Sequence, residues 1–226
     1  MAIGTLGEMS LHAALKERYG RDQDLFEAEV DGYIIDIVRD RRLIEIQTRH
    51  LYAMRAKLKR LLPDYRLHIV HPIHREKWIV RQSEAGEAIS RRKSPKQGQI
   101  VDVFYELVRI HTWLNHPNLT IEAVLTQEEE ILRDDGQGSW RRRGWSVQDR
   151  RLLAVVAQQQ FASLADYCSI LPVGLSDPFT NADLATALAC RANLAQKITY
   201  TLRHIGGLEL VGKQGRAYLY RRMLPL

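Results

Sequence analysis

The stretch YIIDIVRDRRLIEIQTRH, residues 33–50, holds two apolar runs around a charged break, and each run carries a carboxylate at its centre. Alternation and Ile/Val enrichment make both runs strands, and the short polar break makes them a hairpin. A turn centred on Asp40 and Arg41 opposes Arg39 to Arg42, Ile37 to Ile44 and Asp36 to Glu45. A four-residue loop over 39–42 keeps that register; a three-residue loop does not. In this register Ile35, Ile37, Ile44 and Ile46 share one face, suited to a core. The other face carries Asp36, Glu45 and Gln47 among Ile34, Val38 and Leu43. Like charges opposed on a sheet destabilise it, and a buried carboxylate needs compensation. The pair therefore implies a cation, and such oxygen ligands suit a hard divalent ion, Mg²⁺ or Mn²⁺.

Outward from the hairpin, MSLHAALKERYG (9–20) has Leu11, Ala14, Leu15 and Tyr19 at helical spacing. Leu25 to Val30 reads as a further strand. LYAMRAKLKRLLP (51–63) is a helix with a basic outer face, and YRLHIVHP (65–72) and KWIVRQ (77–82) are strands. QIVDVFYELVRIHTWLNHP (99–117) reads as one long amphipathic helix before a last strand, LTIEAVL (119–125). The order α-β-β-β-α-β-β-α-β predicts an α/β fold, a mixed sheet flanked by helices. Two breaks interrupt it: the basic loop SRRKSPKQGQ (90–99) and the Gly-rich DDGQGSWRRRGWS (134–146). The expected organisation is a first domain over 1–135, a basic linker over 136–146 and a second domain over 147–226.

In the second part VQDRRLLAVVAQQQF (147–161) and SLADYCSILP (163–172) read as helices. Thr180 with Asp183 resembles a capping box opening a further helix. ANLAQKITYTLRHIGG (192–207) buries Leu194, Ile198, Thr201, Leu202 and Ile205, and leaves Asn193, Gln196, Lys197, Tyr200 and Arg203 outward. LELVGKQGRAYLYRR (208–222) is a hairpin turning at GKQG.

The D-x8-E-x-Q hairpin between two helices resembles the PD-(D/E)xK nuclease superfamily, the restriction-endonuclease-like fold, over roughly the first domain. The resemblance implies that Asp36 and Glu45 bind the metal, with Glu8 from the first helix as a further ligand and Glu17 as the alternative. Gln47 stands where the family usually has Lys; an amide can orient water but brings no charge. Arg49 or Lys57 is a candidate to supply it. Helix, turn, helix and basic-tipped hairpin resemble a small α+β winged-helix domain. By that resemblance the helix bearing Asn193, Gln196, Lys197, Tyr200 and Arg203 enters the major groove, while Lys213 and Arg216 grip the backbone. The whole chain also resembles a group of uncharacterised bacterial proteins through SLHAALK, IEIQT, RRKSP and LAQKITYTLR.

Other candidates weigh less. His68, His71 and His74 recur every third residue, but on a strand such neighbours point to opposite faces, so they read as separate edge or turn histidines. His12 lies one turn after Glu8 and is within reach of a phosphate or the metal shell. Arg91, Arg92, Lys93 and Lys96 in the basic loop are suited to phosphate, and Trp140 and Trp145 flank three arginines. Cys168 and Cys190 lack metal-ligand spacing. No GxxxxGK[ST], GxGxxG or GxSxG motif occurs, which argues against nucleotide hydrolysis, dinucleotide redox chemistry and serine hydrolysis, so no nucleotide cofactor is expected. No apolar run approaches a membrane span, and the start lacks the pattern of a signal peptide, so the expected location is the cytoplasm. The net charge of +6 and pI of about 9.4 favour a polyanionic partner. The function expected is a metal-dependent DNA endonuclease in defence or DNA processing, a homodimer by resemblance. The alternative is a catalytically silent DNA-binding regulator that keeps the nuclease fold.

Overall fold

The computed structural model describes residues 9–138 and 144–223. The hairpin turns where the sequence places it: β2 (Tyr33–Arg39) and β3 (Arg42–Ile46) pair antiparallel through Arg39–Arg42, Val38–Leu43 and Ile37–Ile44. Asp40, at φ 52°, supplies the left-handed turn residue. β1 (Leu25–Val30) lies outside β2, and β3 runs parallel to β4 (Arg66–Gln82). A parallel neighbour requires a crossover, and α2 (Arg55–Leu61) provides it. β4 in turn pairs parallel with β6 (Leu119–Asp134), whose partner on the far side is the antiparallel β7 (Trp145–Phe161). β5 (Ala88–Lys93) folds back on the end of β4, completing a seven-stranded mixed sheet.

The sheet has helices on both faces. α1 (Ser10–Tyr19) covers a small cluster of Leu11, Leu15, Ile37, Ile44, Ile46, Val70 and Val124. The opposite face packs Leu43, Leu67, Ile69, Ile121 and Ala123 against α2, α3 (Phe104–Leu107) and the C-terminal elements, with Phe104 and Phe161 fully buried between them. Those last elements are α4 (Leu164–Cys168), β8 (Phe179–Thr180), α5 (Asn181–Ala187), α6 (Ala192–His204), β9 (Leu208–Gln214) and β10 (Ala217–Arg222), with a second sheet ordered β8-β10-β9. Leu184, Leu194, Ile198 and Leu202 join the same core as Leu43 and Phe104, so the apolar interior runs through both parts.

Four sequence expectations need correction. Residues 147–161 are not a helix but part of β7, hydrogen-bonded along β6, so the residues expected to open the second domain close the first sheet. Their Arg, Leu, Ala and Gln are good helix formers, and cross-strand pairing overrides that propensity. The expected long helix over 99–117 is broken into short turns, with α3 the one α-helical piece. The basic loop begins as strand β5. The two strands expected around Pro72 are one strand, β4. Pro72 sits between the pairings of β4 with β3, which end at Val70, and with β5, which start at Trp78, so no ladder bond is lost on that side.

Candidate active site

Asp36 and Glu45 come together, but not as a simple alternation predicts. Ile37, Ile44 and Ile46 pack under α1, whereas Ile35 belongs to the other core with Leu43. The strict face alternation of β2 therefore fails between Ile35 and Ile37. On β1, Glu27 (φ 50°) lies between the pairings Phe26–Ile37 and Ala28–Ile35, an irregularity facing Asp36. Asp36 is thus turned toward α1: its Oδ2 accepts from the Ile46 backbone N–H at 2.7 Å and lies 3.2 Å from His12 Nε2. Burial opposes its ionisation, but those two hydrogen bonds and the charge of Lys16 outweigh it and hold the carboxyl below its usual range.

Glu45 is 4% exposed and meets the opposite fate. Burial first, then the charge of Asp36, push its carboxyl up to about 7, against the opposing pull of Lys57. The Lys57 ammonium bonds both Glu45 Oε1 and, at 2.7 Å, the carbonyl of Ile34. α2 is what places it there, because Leu58 and Leu61 anchor that helix in the core and leave Lys57 at the sheet. The result is a partly buried group of two carboxylates, one lysine and one histidine drawn from β2, β3, α2 and α1.

The remaining expectations for this site fare differently. The Gln47 side-chain amide turns to the carbonyls of Arg49 and His50, so it does not face the carboxylate pair. Arg49 is exposed, and so is Glu17. Glu8 lies outside the described residues. Among the described residues no group of three or more His, Cys, Asp or Glu side chains clusters as a metal site. Two carboxylates suffice for Mg²⁺, which keeps several waters and takes only one or two protein carboxylates. Asp36 Oδ1 and Glu45 Oε2 are the oxygens left for such an ion, the other two being engaged by His12, Ile46 and Lys57.

A family model for a domain of unknown function, DUF8091, matches residues 9–162, which is the span from α1 to the end of β7. The chain belongs to the DUF8091 family. An uncharacterised protein of Treponema pallidum (strain Nichols) is 34% identical over 229 residues, covering all of this chain and 89% of its own length. No solved structure matches. The DUF8091 span thus contains every residue of the carboxylate group, while α4 to β10 lie after it.

The three histidines of β4 are neither at an edge nor in a turn, since β4 is central. His68 and His71 are buried, and burial keeps His71 and His74 below the usual imidazole range. His71 Nδ1 lies 2.7 Å from the Gln47 carbonyl, just past β3. Of the expected phosphate contacts, Arg91, Arg92, Lys93 and Lys96 are exposed; Arg91 and Lys93 also pair with Glu129 and Glu76 and lie over Trp78. On α6, Asn193, Gln196, Tyr200 and Arg203 are exposed and Lys197 is half-buried. Asn193 accepts from the Tyr105 hydroxyl at 3.1 Å, and Tyr200 stacks on His204 and meets His111 edge-on, so part of that face is occupied by the first unit. Lys213 and Arg216 are exposed at the β9–β10 hairpin. Trp140 lies outside the described residues, and Trp145 packs under Arg81. Sequence reasoning named His12 only as a neighbour of Glu8 and Lys57 only as a stand-in for charge. The signal for Lys57 was its place on a helix packed behind the hairpin.

Proposed function

We propose that the chain is a metal-dependent DNA endonuclease, with a restriction-endonuclease-like unit of the PD-(D/E)xK type over α1 to β7 and a winged-helix DNA-binding unit after it. The observation that carries this reading is the convergence of Asp36, Glu45 and Lys57 from the neighbouring strands β2 and β3 and the helix α2 packed against them. A bound Mg²⁺ or Mn²⁺ would acidify an attacking water and take up charge from the scissile phosphate. Asp36, kept ionised by His12 and the Ile46 N–H, is the first ligand. Glu45 becomes the second once its proton is displaced, and Lys57 holds it in place and supplies the positive charge that Gln47 lacks. The order α4-β8-α5-α6-β9-β10, with a three-stranded sheet and an exposed basic hairpin, supports the winged-helix reading. Among the described residues no helix is long and apolar enough to cross a membrane, which is compatible with the expected cytoplasmic setting.

The test is nicking of supercoiled plasmid with Mg²⁺ or Mn²⁺ by wild type, Asp36→Ala and Lys57→Met. Nicking that requires the metal and fails in both variants supports the reading; equal nicking by all three defeats it. The second reading, a silent DNA-binding regulator, is favoured by the position of Gln47, whose amide is turned to backbone carbonyls. It predicts intact plasmid in every lane together with a salt-sensitive gel shift.

A further inference from the structure

β3 and β4 begin side by side, and their parallel register sets Arg42 opposite Arg66. Residues two apart on a strand share a face, so both arginines lie on the side that carries Ile44 and His68. A cavity of about 830 Å³ opens there, with Arg42, Arg66, His68, Tyr65 and Asn118 in its wall. Arg39 also lines it, but its guanidinium is bound to Asp24 at 2.6 and 2.8 Å. Arg41 is turned to the Asp64 carbonyl at 2.9 Å. Among the described residues no carboxylate pairs with Arg42 or Arg66.

Arg42 instead donates to His68 Nδ1 at 2.6 Å. A guanidinium has donors only, so Nδ1 is the acceptor and the imidazole is neutral with its hydrogen on Nε2. That hydrogen is donated to Glu122 at 2.7 Å, in a pair almost fully buried. Burial alone would raise the Glu122 carboxyl, but the His68 bond helps to hold it below its usual range. Arg42 is therefore held in position by a neutral partner, with no carboxylate bonded to its guanidinium among the described residues.

We propose that this cavity binds a phosphate monoester of mononucleotide size, with the phosphate gripped jointly by Arg42 and Arg66. Guanidinium forks on adjacent strands start about 4.8 Å apart, within reach of one tetrahedral anion, and arginine forks suit phosphate. The volume fits a small-molecule site and exceeds what bare phosphate fills. The Asp40 and Asp64 carboxylates in the wall suit sugar hydroxyls while disfavouring further phosphates. The site is separate from the carboxylate pair: neither Asp36 nor Glu45 lines the cavity, and Arg42 and Glu45 are three residues apart on β3, about 10 Å. It therefore stands whether or not the chain cuts DNA. The monoester is either a free nucleotide or the 5′ end of a strand.

Calorimetry of the full chain would use the 5′-monophosphates of adenosine, guanosine, cytidine and uridine, the same nucleosides without phosphate, and inorganic phosphate. At least one monophosphate is expected to bind, about tenfold or more tighter than its nucleoside, and Arg66→Met to weaken it by about tenfold or more. Arg66 has no carboxylate partner to lose, so its variant should melt with wild type; Arg42→Met should weaken binding as well. Displacement of the nucleotide by a 5′-phosphorylated oligonucleotide, but not by its 5′-hydroxyl form, assigns the strand end; failure of both assigns the free nucleotide. No monophosphate binding, nucleosides binding as well as their monophosphates, or an Arg66→Met protein that binds unchanged would overturn the proposal.

Discussion

Replacing Glu45 by Gln removes a carboxylate that the fold holds at a cost. Its pKa rises from 4.5 to about 7, chiefly through burial and then through the charge of Asp36. A rise of that size corresponds to ~3 kcal/mol of preference for the neutral form in the folded state. The sign follows from proton uptake. The folded chain binds the Glu45 proton more tightly than the unfolded chain, so this contribution is complete below pH 4.5 and is lost as pH rises through about 7. Asp36, whose pKa is lowered, stays ionised across that window and drops out. His71 and His74 titrate identically in both proteins and cancel in the difference. Glu45→Gln should therefore exceed wild type by only ~1 kcal/mol near pH 5 and by up to ~3 kcal/mol near pH 8. The amide keeps an acceptor for Lys57, so the comparison is not dominated by a stranded ammonium. Urea unfolding at half-unit pH steps from 5 to 8.5 reads the effect directly. If Mg²⁺ binds the ionised pair as proposed, saturating Mg²⁺ should erase the wild-type loss at pH 8. Parallel stability profiles for the two proteins over the whole range would refute the account of Glu45.

Further expectations concern the frame. Arg150→Met leaves the wholly buried Glu128 carboxylate without the guanidinium that bonds it at 2.6 Å, and should cost ~3–5 kcal/mol in urea unfolding. Thr180→Ala removes the Oγ that accepts from the Asp183 N–H at 3.3 Å at the start of α5, and should cost ~1 kcal/mol in the same measurement. If the β9–β10 hairpin grips the DNA backbone, Lys213→Ala with Arg216→Ala should reduce the slope of log affinity against log salt by about 2, read by fluorescence anisotropy on duplex DNA.

The sequence disclosed what local chemistry controls. The turn at Asp40–Arg41 and the register down to Ile37–Ile44 follow from alternation, and the Thr180–Asp183 box follows from its end signal; the hairpin expected to turn at GKQG turns at Gly215 and Arg216, with Gly212 to Gln214 paired in β9. What it hid is set by neighbours distant in the chain. β7 reads as a helix until β6 is laid beside it, and the 99–117 segment reads as one helix until the core demands several short turns. At the site, the carboxylate pair was legible because two acids in apolar strands are costly without a partner. The orientation of Asp36 was not, because it depends on the irregularity opposite it at Glu27. Lys57 reaches Glu45 from the next helix, twelve residues on, so no spacing on the hairpin reveals it. Arg42 and Arg66 come together only through the parallel pairing of β3 with β4, which leaves no local mark.

The central claim is that Asp36 and Glu45 hold a divalent ion between them. Titration of metal-free protein with Mn²⁺, followed by calorimetry and by electron paramagnetic resonance of the free ion, tests it without requiring a substrate. The account predicts a bound ion that Asp36→Ala and Glu45→Gln each lose, while Gln47→Ala, whose amide is turned away, retains it. No binding to wild type, or an ion that survives in both carboxylate variants, would contradict it.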